Sequence, residues 1–160
     1  MKKVLYLHGL ESKQGGSKVD FLSSICLVSA PVLDYRDSAC FQNIHDLVVT
    51  NSFDLIIGSS MGGYLGFLMG EIFETPTILF NPALHSRSFE PNNCFEPQLG
   101  HTSHYIILGG QDGVIDPEIT MKILQEIKPS SAKTIEIETI PEMRHRTPLD
   151  VFIAKIQPRL

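Results

Sequence analysis

Cysteine is scarce in this 160-residue chain: Cys26, Cys40 and Cys94 are the whole set, an odd number with no CxxC spacing. That argues against a secreted disulfide framework and for a reducing, cytoplasmic setting. Positive charge is also in short supply. Thirteen Lys and Arg face 18 Asp and Glu, a net charge of -5, and neither half of the chain is basic. A nucleic-acid or anionic-membrane footprint is therefore missing. Long apolar runs are lacking too. The run at 4–7 is cut by His8-Gly9 and is too short for a signal peptide. The longest uncharged stretch, 55–70, holds five glycines in 16 residues. A membrane span needs roughly 20 apolar residues. No GxGxxG, P-loop or HExxH motif occurs, and there is no repeat or low-complexity tract.

What remains is an ordinary globular mixture, 42% apolar and 19% charged. That excludes global disorder, collagen and coiled coil. A chain of this size forms one domain and buries about 68–70% of its unfolded surface, enough for a core without metal or disulfide. Apolar runs of strand length alternate with helical patterns. Strands are predicted at 4–7, within 26–31, and at 55–57, 77–80, 105–108 and 135–139. Helices are predicted at 17–27, after a cap at Asp37 or Ser38, at 61–73, from Asp116-Pro117 to about Ile127, and starting at Thr147-Pro148 with Asp150 in the first turn. Strands apolar on both faces and separated by helices imply one parallel sheet covered on both sides. Residues 82–103, rich in Pro, Asn and Ser, form the one long irregular piece and read as a lid-like insertion.

The sharpest motif is Gly58-Ser59-Ser60-Met61-Gly62, a G-x-S-x-G between a buried strand and a helical stretch. A nucleophile elbow requires that context, with glycines where strand and helix backbones crowd together. A serine hydroxyl needs a base, an orienting acid and an oxyanion hole to become a nucleophile. In a strand–elbow–helix fold of this kind the acid follows a later strand and the histidine comes last. Two aspartates follow the strand at 105–108. Asp116, just before Pro117, is already explained as a helix cap. Asp112, between Gln111 and Gly113, has no such duty and is the candidate acid. Of six histidines only His145 follows the last strand and precedes the last helix, so it is the candidate base. Met61 and Leu10 are expected to supply the oxyanion-hole N–H groups. His8, Gly9, Ser59 and Phe89 are expected to line the substrate's path. His101 and His104, with His85 or Cys94, are the one set with metal-ligand character, but an irregular loop does not prebuild such a site. No metal or organic cofactor is expected. Cys26 and Cys40 read as core residues on apolar helix faces, and Arg87 as a solvated loop side chain.

These residues resemble a known family, the small α/β-hydrolase-fold esterases of the YqiA (UPF0227) type, over nearly the whole chain. Tyr6-Leu7-His8-Gly9-Leu10 with Gly16-Ser17-Lys18 is similar to its opening. Gly58-Ser59-Ser60-Met61-Gly62-Gly63-Tyr64 is similar to its elbow, and Asn81-Pro82-Ala83 to its turn after the fourth strand. Asp112 and His145 fall where the family has its acid and base. One departure is Glu142-Met143-Arg144, standing where the family usually has glycines before its histidine. The resemblance implies esterase or thioesterase activity on small acyl substrates. The expected fold is a trimmed α/β-hydrolase of about six parallel strands in the order 2-1-3-4-5-6. The expected partner is a small acyl ester or thioester, with neither nucleic acid nor membrane. An acyltransferase on the same residues, or a non-catalytic binding protein on the same fold, stays open at this point.

Overall fold

Strands without a polar face need cover on both sides, and the chain supplies it by alternating strand and helix. The computed structural model describes residues 1–10, 12–90 and 96–160. The elements in order are β1 (Lys3–Leu7), α1 (Ser17–Ile25), β2 (Leu27–Ser29), α2 (Cys40–Asn51), β3 (Leu55–Ser59) and α3 (Met61–Phe73). They continue with β4 (Thr77–Phe80), β5 (His104–Gly109), α4 (Pro117–Glu126), β6 (Ile135–Ile140), α5 (Leu149–Ile156) and a short 3-10 turn (Gln157–Arg159). The six strands form one sheet in the order β2-β1-β3-β4-β5-β6, every pair parallel. The expected class and strand order are therefore those observed. Among the described residues no helix is long and apolar enough to cross a membrane.

Successive side chains of each strand feed two cores. Leu5, Leu7, Ile56, Leu79, Ile106 and Leu108 face α2, α3 and α4, where Phe41, Ile44, Leu65 and Leu124 meet them. Val4, Tyr6, Ile57, Ile78, Phe80 and Ile107 face α1 and α5, against Leu22, Phe152 and Ile156. The edge strands lack this two-sided burial, and β6 alternates half-buried Ile with exposed Glu136 and Thr139.

Several boundaries differ from the sequence reading, each for a local reason. The first helix stops at Ile25 rather than Leu27. Cys26 turns extended (φ −148°, ψ 170°), and the Leu27 N–H is taken by the Lys2 carbonyl at 2.9 Å to start β2, which runs only to Ser29. Sheet pairing wins over helix continuation there. Neither Asp37 nor Ser38 caps α2. Its N-cap is Ala39, and Asp37 Oδ1 instead accepts the Ala39 N–H at 2.9 Å, tightening the turn that precedes the helix. β3 runs two residues further than expected, into the elbow itself, and β5 starts one residue earlier, at His104. Cys26 and Cys40 are buried free thiols, Cys26 just past the end of α1 and Cys40 at the start of α2. Burial pushes both up, Cys40 to about 11, with Asp37 and Asp34 adding to the effect there.

Phe152 anchors α5 to the sheet. It is fully buried, edge-on to Tyr6 at 5.9 Å and tilted against Phe80 at 5.2 Å. Truncating a buried Phe removes its transfer free energy and leaves a cavity. Phe152→Ala is expected to lower unfolding stability by about 3–5 kcal/mol. Urea denaturation checks this, and an unchanged midpoint would show that α5 is held by something else.

Candidate active site

The backbones of β3 and α3 meet closely at the turn between them. A Cβ on Gly58 would lie 2.3 Å from the Gly62 carbonyl oxygen, and one on Gly62 would lie 2.1 Å from the Leu7 oxygen. Only glycine fits either position. Between them Ser60 is forced to φ 55°, ψ −118°. Such a conformation costs a non-glycine residue on the order of 1–3 kcal/mol and persists only where its surroundings hold it. Three backbone bonds do so: the Ser60 N–H donates to Phe80 O, and its own carbonyl accepts from the Tyr64 and Ala83 N–H groups, each at 3.0 Å.

The Ser60 side chain meets His145. Ser60 Oγ stands 3.0 Å from His145 Nε2, and His145 Nδ1 stands 2.8 Å from Asp112 Oδ2. An ionised carboxylate only accepts, so Nδ1 carries the proton and Nε2 is left to accept the serine O–H. Asp112 is fully buried in its side chain, whereas His145 keeps 27% exposure. The structure thus brings together three residues separated by 52 and 33 positions in sequence. It also gives Asp112 the local duty that the sequence reading denied it. Its Oδ1 accepts the N–H groups of Val114 and Ile115 at 2.8 and 2.9 Å, which fixes the carboxylate's orientation. Asp116 caps α4 as expected, accepting from Glu118 and Ile119 N–H, and lies exposed.

The loop after β1 approaches Ser60 from the other side, with a Cβ on Gly9 placed 3.3 Å from Ser60 Cβ. His8 was expected to face substrate. Instead it is buried, and both ring nitrogens are committed: Nε2 accepts the Leu33 N–H at 3.3 Å, so Nδ1–H donates to the Gly9 carbonyl at 2.8 Å. The Tyr35 hydroxyl in turn donates to the His8 carbonyl. In a trans peptide C=O and N–H point opposite ways. Pinning the Gly9 carbonyl therefore turns the Leu10 N–H to the other side of that peptide. Neither the Leu10 nor the Met61 N–H has an acceptor among the described residues. Met61 is the first residue of α3, at the helix's positive end. Ser59 ends β3 half-buried, and Phe89 lies half-buried against the core under the Arg36 guanidinium at 5.3 Å.

The remaining candidates fall elsewhere. Arg87 is not solvated: it stacks on Tyr64 at 4.1 Å, donates to the Ala83 carbonyl at 3.0 Å and pairs with Glu90 at 2.9 Å. His104 begins β5 and is buried, with Nε2 2.7 Å from Glu71 Oε1 and Nδ1 2.7 Å from Thr77 Oγ1. Its ring has no nitrogen left for a metal. His85 Nε2 reaches the Asp116 carbonyl at 3.2 Å. Cys94 lies outside the described residues, as does Phe95 of the predicted insertion.

Two roles were not legible in the sequence. Asn81, buried directly after β4, bonds the carbonyls of Arg144 and His145 and the Gly109 N–H. Gly109 and Gly110 let the 141–144 loop cross the end of β5, since a Cβ on either would fall 2.5 to 2.7 Å from carbonyl oxygens of Met143 or Pro141. An Asn-Pro pair after an apolar strand, and a Gly-Gly pair after the next one, were the available signals. In the departing stretch Glu142-Met143-Arg144, Met143 turns into the core, while Glu142 and Arg144 stay exposed.

Solved structures share this architecture at low sequence identity. An α/β hydrolase enzyme, MGS-MChE2, from the sediment metagenome of the Mar Chica lagoon in Morocco superposes with TM-score 0.71 at 15% identity, covering 99% of this chain and 88% of its own. The monoacylglycerol lipase of Paleococcus ferrophilus gives TM-score 0.70 at 14% identity, with 97% and 92% covered. Est1E from Butyrivibrio proteoclasticus gives 0.64 at 14% identity, with 99% and 86% covered. These likenesses establish the α/β-hydrolase fold. No curated protein matches the chain. The model of one protein family spans residues 3–133, from β1 past α4 and including Ser60 and Asp112, so this chain belongs to the uncharacterised protein family UPF0227.

Proposed function

We propose that the protein is a serine hydrolase that cleaves small acyl esters or thioesters through an acyl-Ser60 intermediate. The observation that carries this reading is the unbroken run from Ser60 Oγ through both nitrogens of His145 to Asp112, at 3.0 and 2.8 Å. Ser60 Oγ attacks the acyl carbon while its proton passes to His145 Nε2. The imidazolium then protonates the departing alkoxide or thiolate. A water loses its proton to the same nitrogen and attacks the acyl-enzyme, and as the acyl–oxygen bond breaks the imidazolium returns that proton to Ser60 Oγ, releasing the acid and the free serine. Asp112 keeps the Nδ1–H tautomer and steadies the imidazolium. The N–H groups of Met61 and Leu10 take up the charge on the acyl oxygen, and the bonds around His8 prepare the second of them. The monoacylglycerol lipase and the α/β hydrolase enzyme among the fold neighbours support hydrolysis.

A fluorophosphonate probe tests the nucleophile. Wild type is expected to be labelled once per chain and Ser60→Ala not at all. Labelling that survives the substitution, or none in wild type, would favour a binding role on the same fold.

The two aspartates separate by function. Asp112→Asn is expected to lower kcat by about 10⁴-fold by reversing the histidine tautomer. Asp116→Asn should have little effect, since Asn caps a helix nearly as well. Steady-state kinetics of both variants check the assignment, and reversed effects would move the acid to Asp116.

The insertion at 82–103 starts on the elbow, through Ala83 on the Ser60 carbonyl, and we take it as the cover of the site. Leu84 and Phe89 are half-buried against the core there, a modest apolar wall interleaved with Arg87 and Glu90. Such a wall shelters a short acyl group better than a long chain. In a p-nitrophenyl series from acetyl to palmitoyl, kcat/KM is expected to fall with length, and a steady rise would contradict the short-acyl assignment.

A further inference from the structure

We propose that Asn81 is a positioning residue for this chemistry, holding His145 in line between Asp112 and Ser60; the inference rests on the hydrolase reading above. Asn81 is 1% exposed and sits one residue beyond β4. Its Nδ2 donates to the His145 carbonyl at 2.8 Å and to the Arg144 carbonyl at 3.2 Å, while Oδ1 accepts the Gly109 N–H at 2.7 Å. The amide's orientation is dictated by chemistry. Reversed, it would set an oxygen against two carbonyls and an NH₂ against an N–H.

Among the described residues no other hydrogen bond reaches the backbone of His145. The nearest anchors of its loop are the Gln111 N–H on the Met143 carbonyl at 3.0 Å and the Met143 N–H on Ile140. Both act two or more residues before the imidazole. Arg144 and Arg146, either side of it, are exposed. Asn81 therefore locates the base 64 residues away, and through Gly109 it grips the strand end that leads to Asp112. The same turn touches the nucleophile. Pro82 packs where a Cβ on Gly63 would stand, 2.9 Å from Pro82 Cα, and Ala83 bonds the Ser60 carbonyl. One buried turn thus fixes all three partners relative to one another.

A plainer explanation is that asparagine merely tolerates the left-handed backbone here, φ 44°. Glycine would serve that need equally but would leave the two carbonyls and the N–H without partners. The contrast supplies the test. Asn81→Gly keeps the backbone conformation and deletes the amide. Asn81→Asp keeps the acceptor for Gly109 but puts a second oxygen where the donor was. Both are compared, as the full chain, with wild type and with Ile44→Ala, a core truncation in α2 away from the site. The measurements are p-nitrophenyl acetate kinetics, fluorophosphonate labelling rate and folded fraction by thermal melting.

Both Asn81 variants are expected to lose roughly ten- to hundredfold in kcat and labelling rate per folded molecule, with KM near the wild-type value. Ile44→Ala should retain wild-type kcat and KM per folded molecule. The proposal is overturned if the Asn81 variants match wild type, if their losses equal their unfolded fraction, or if KM rises by as much as kcat falls. Absence of labelling in wild type would instead overturn the hydrolase reading itself.

Discussion

Two backbones that touch with no side chain between them set the rest of the site. α3 begins so close to the carboxyl ends of β1 and β3 that a methyl group on Gly62 would sit 2.1 Å from the Leu7 oxygen. Ser60 must then take a conformation that non-glycine residues avoid, and its side chain is thrust out at the end of the sheet. The same crowding puts the first N–H of α3 beside it and brings Gly9 within van der Waals reach. Nucleophile, helix end and neighbouring loop are consequences of a single close approach.

Parallel topology does the gathering. Every β-to-α loop leaves from the same end of the sheet, so residues far apart in sequence meet there. Ser60 comes from the end of β3, Asp112 follows β5 and His145 follows β6. Since β5 and β6 are neighbours in the sheet, acid and base need only short loops to meet. The base must still reach across two strands to the serine. The glycines at 109 and 110 allow its loop to lie directly on the end of β5, and Asn81 receives it there.

A second buried polar cluster lies away from the serine. At the opposite end of the sheet, Glu71 of α3 bonds His104 of β5, and His104 bonds Thr77 of β4, with Phe67 stacked on the imidazole at 4.5 Å. Glu71 also accepts the N–H groups of Gly100 and His101 at 3.0 and 2.8 Å. Burial pushes the Glu71 carboxyl up, but the bonds from His104, His101 and Gly100 outweigh it and hold the pKa below the ordinary carboxylate value. A buried network is stable only when every member is satisfied. Here it ties the return of the 82–103 segment to α3, while Ala83 ties its start to the elbow. Both ends of the segment are attached to the nucleophile's strand-to-helix unit.

What could be read in the sequence is what neighbouring residues decide among themselves. Two-faced apolar runs implied a covered parallel sheet, because no polar face was left for water. Gly58 and Gly62 marked the elbow, and Asp116 before Pro117 marked a cap, which left Asp112 as the acid candidate. What escaped depends on partners far along the chain. His8 looked like a site residue until Leu33 and the Gly9 carbonyl took its ring, and His104 looked like a loop histidine until Glu71 and Thr77 enclosed it. Asn81 looked like a turn residue, and Arg87 like a solvated one. A polar side chain's task is set by which donors and acceptors surround it once water is excluded. Periodicity and local turn chemistry determine the elements of this protein, whereas only the packed sheet decides which hydrogen bond each buried polar group must make.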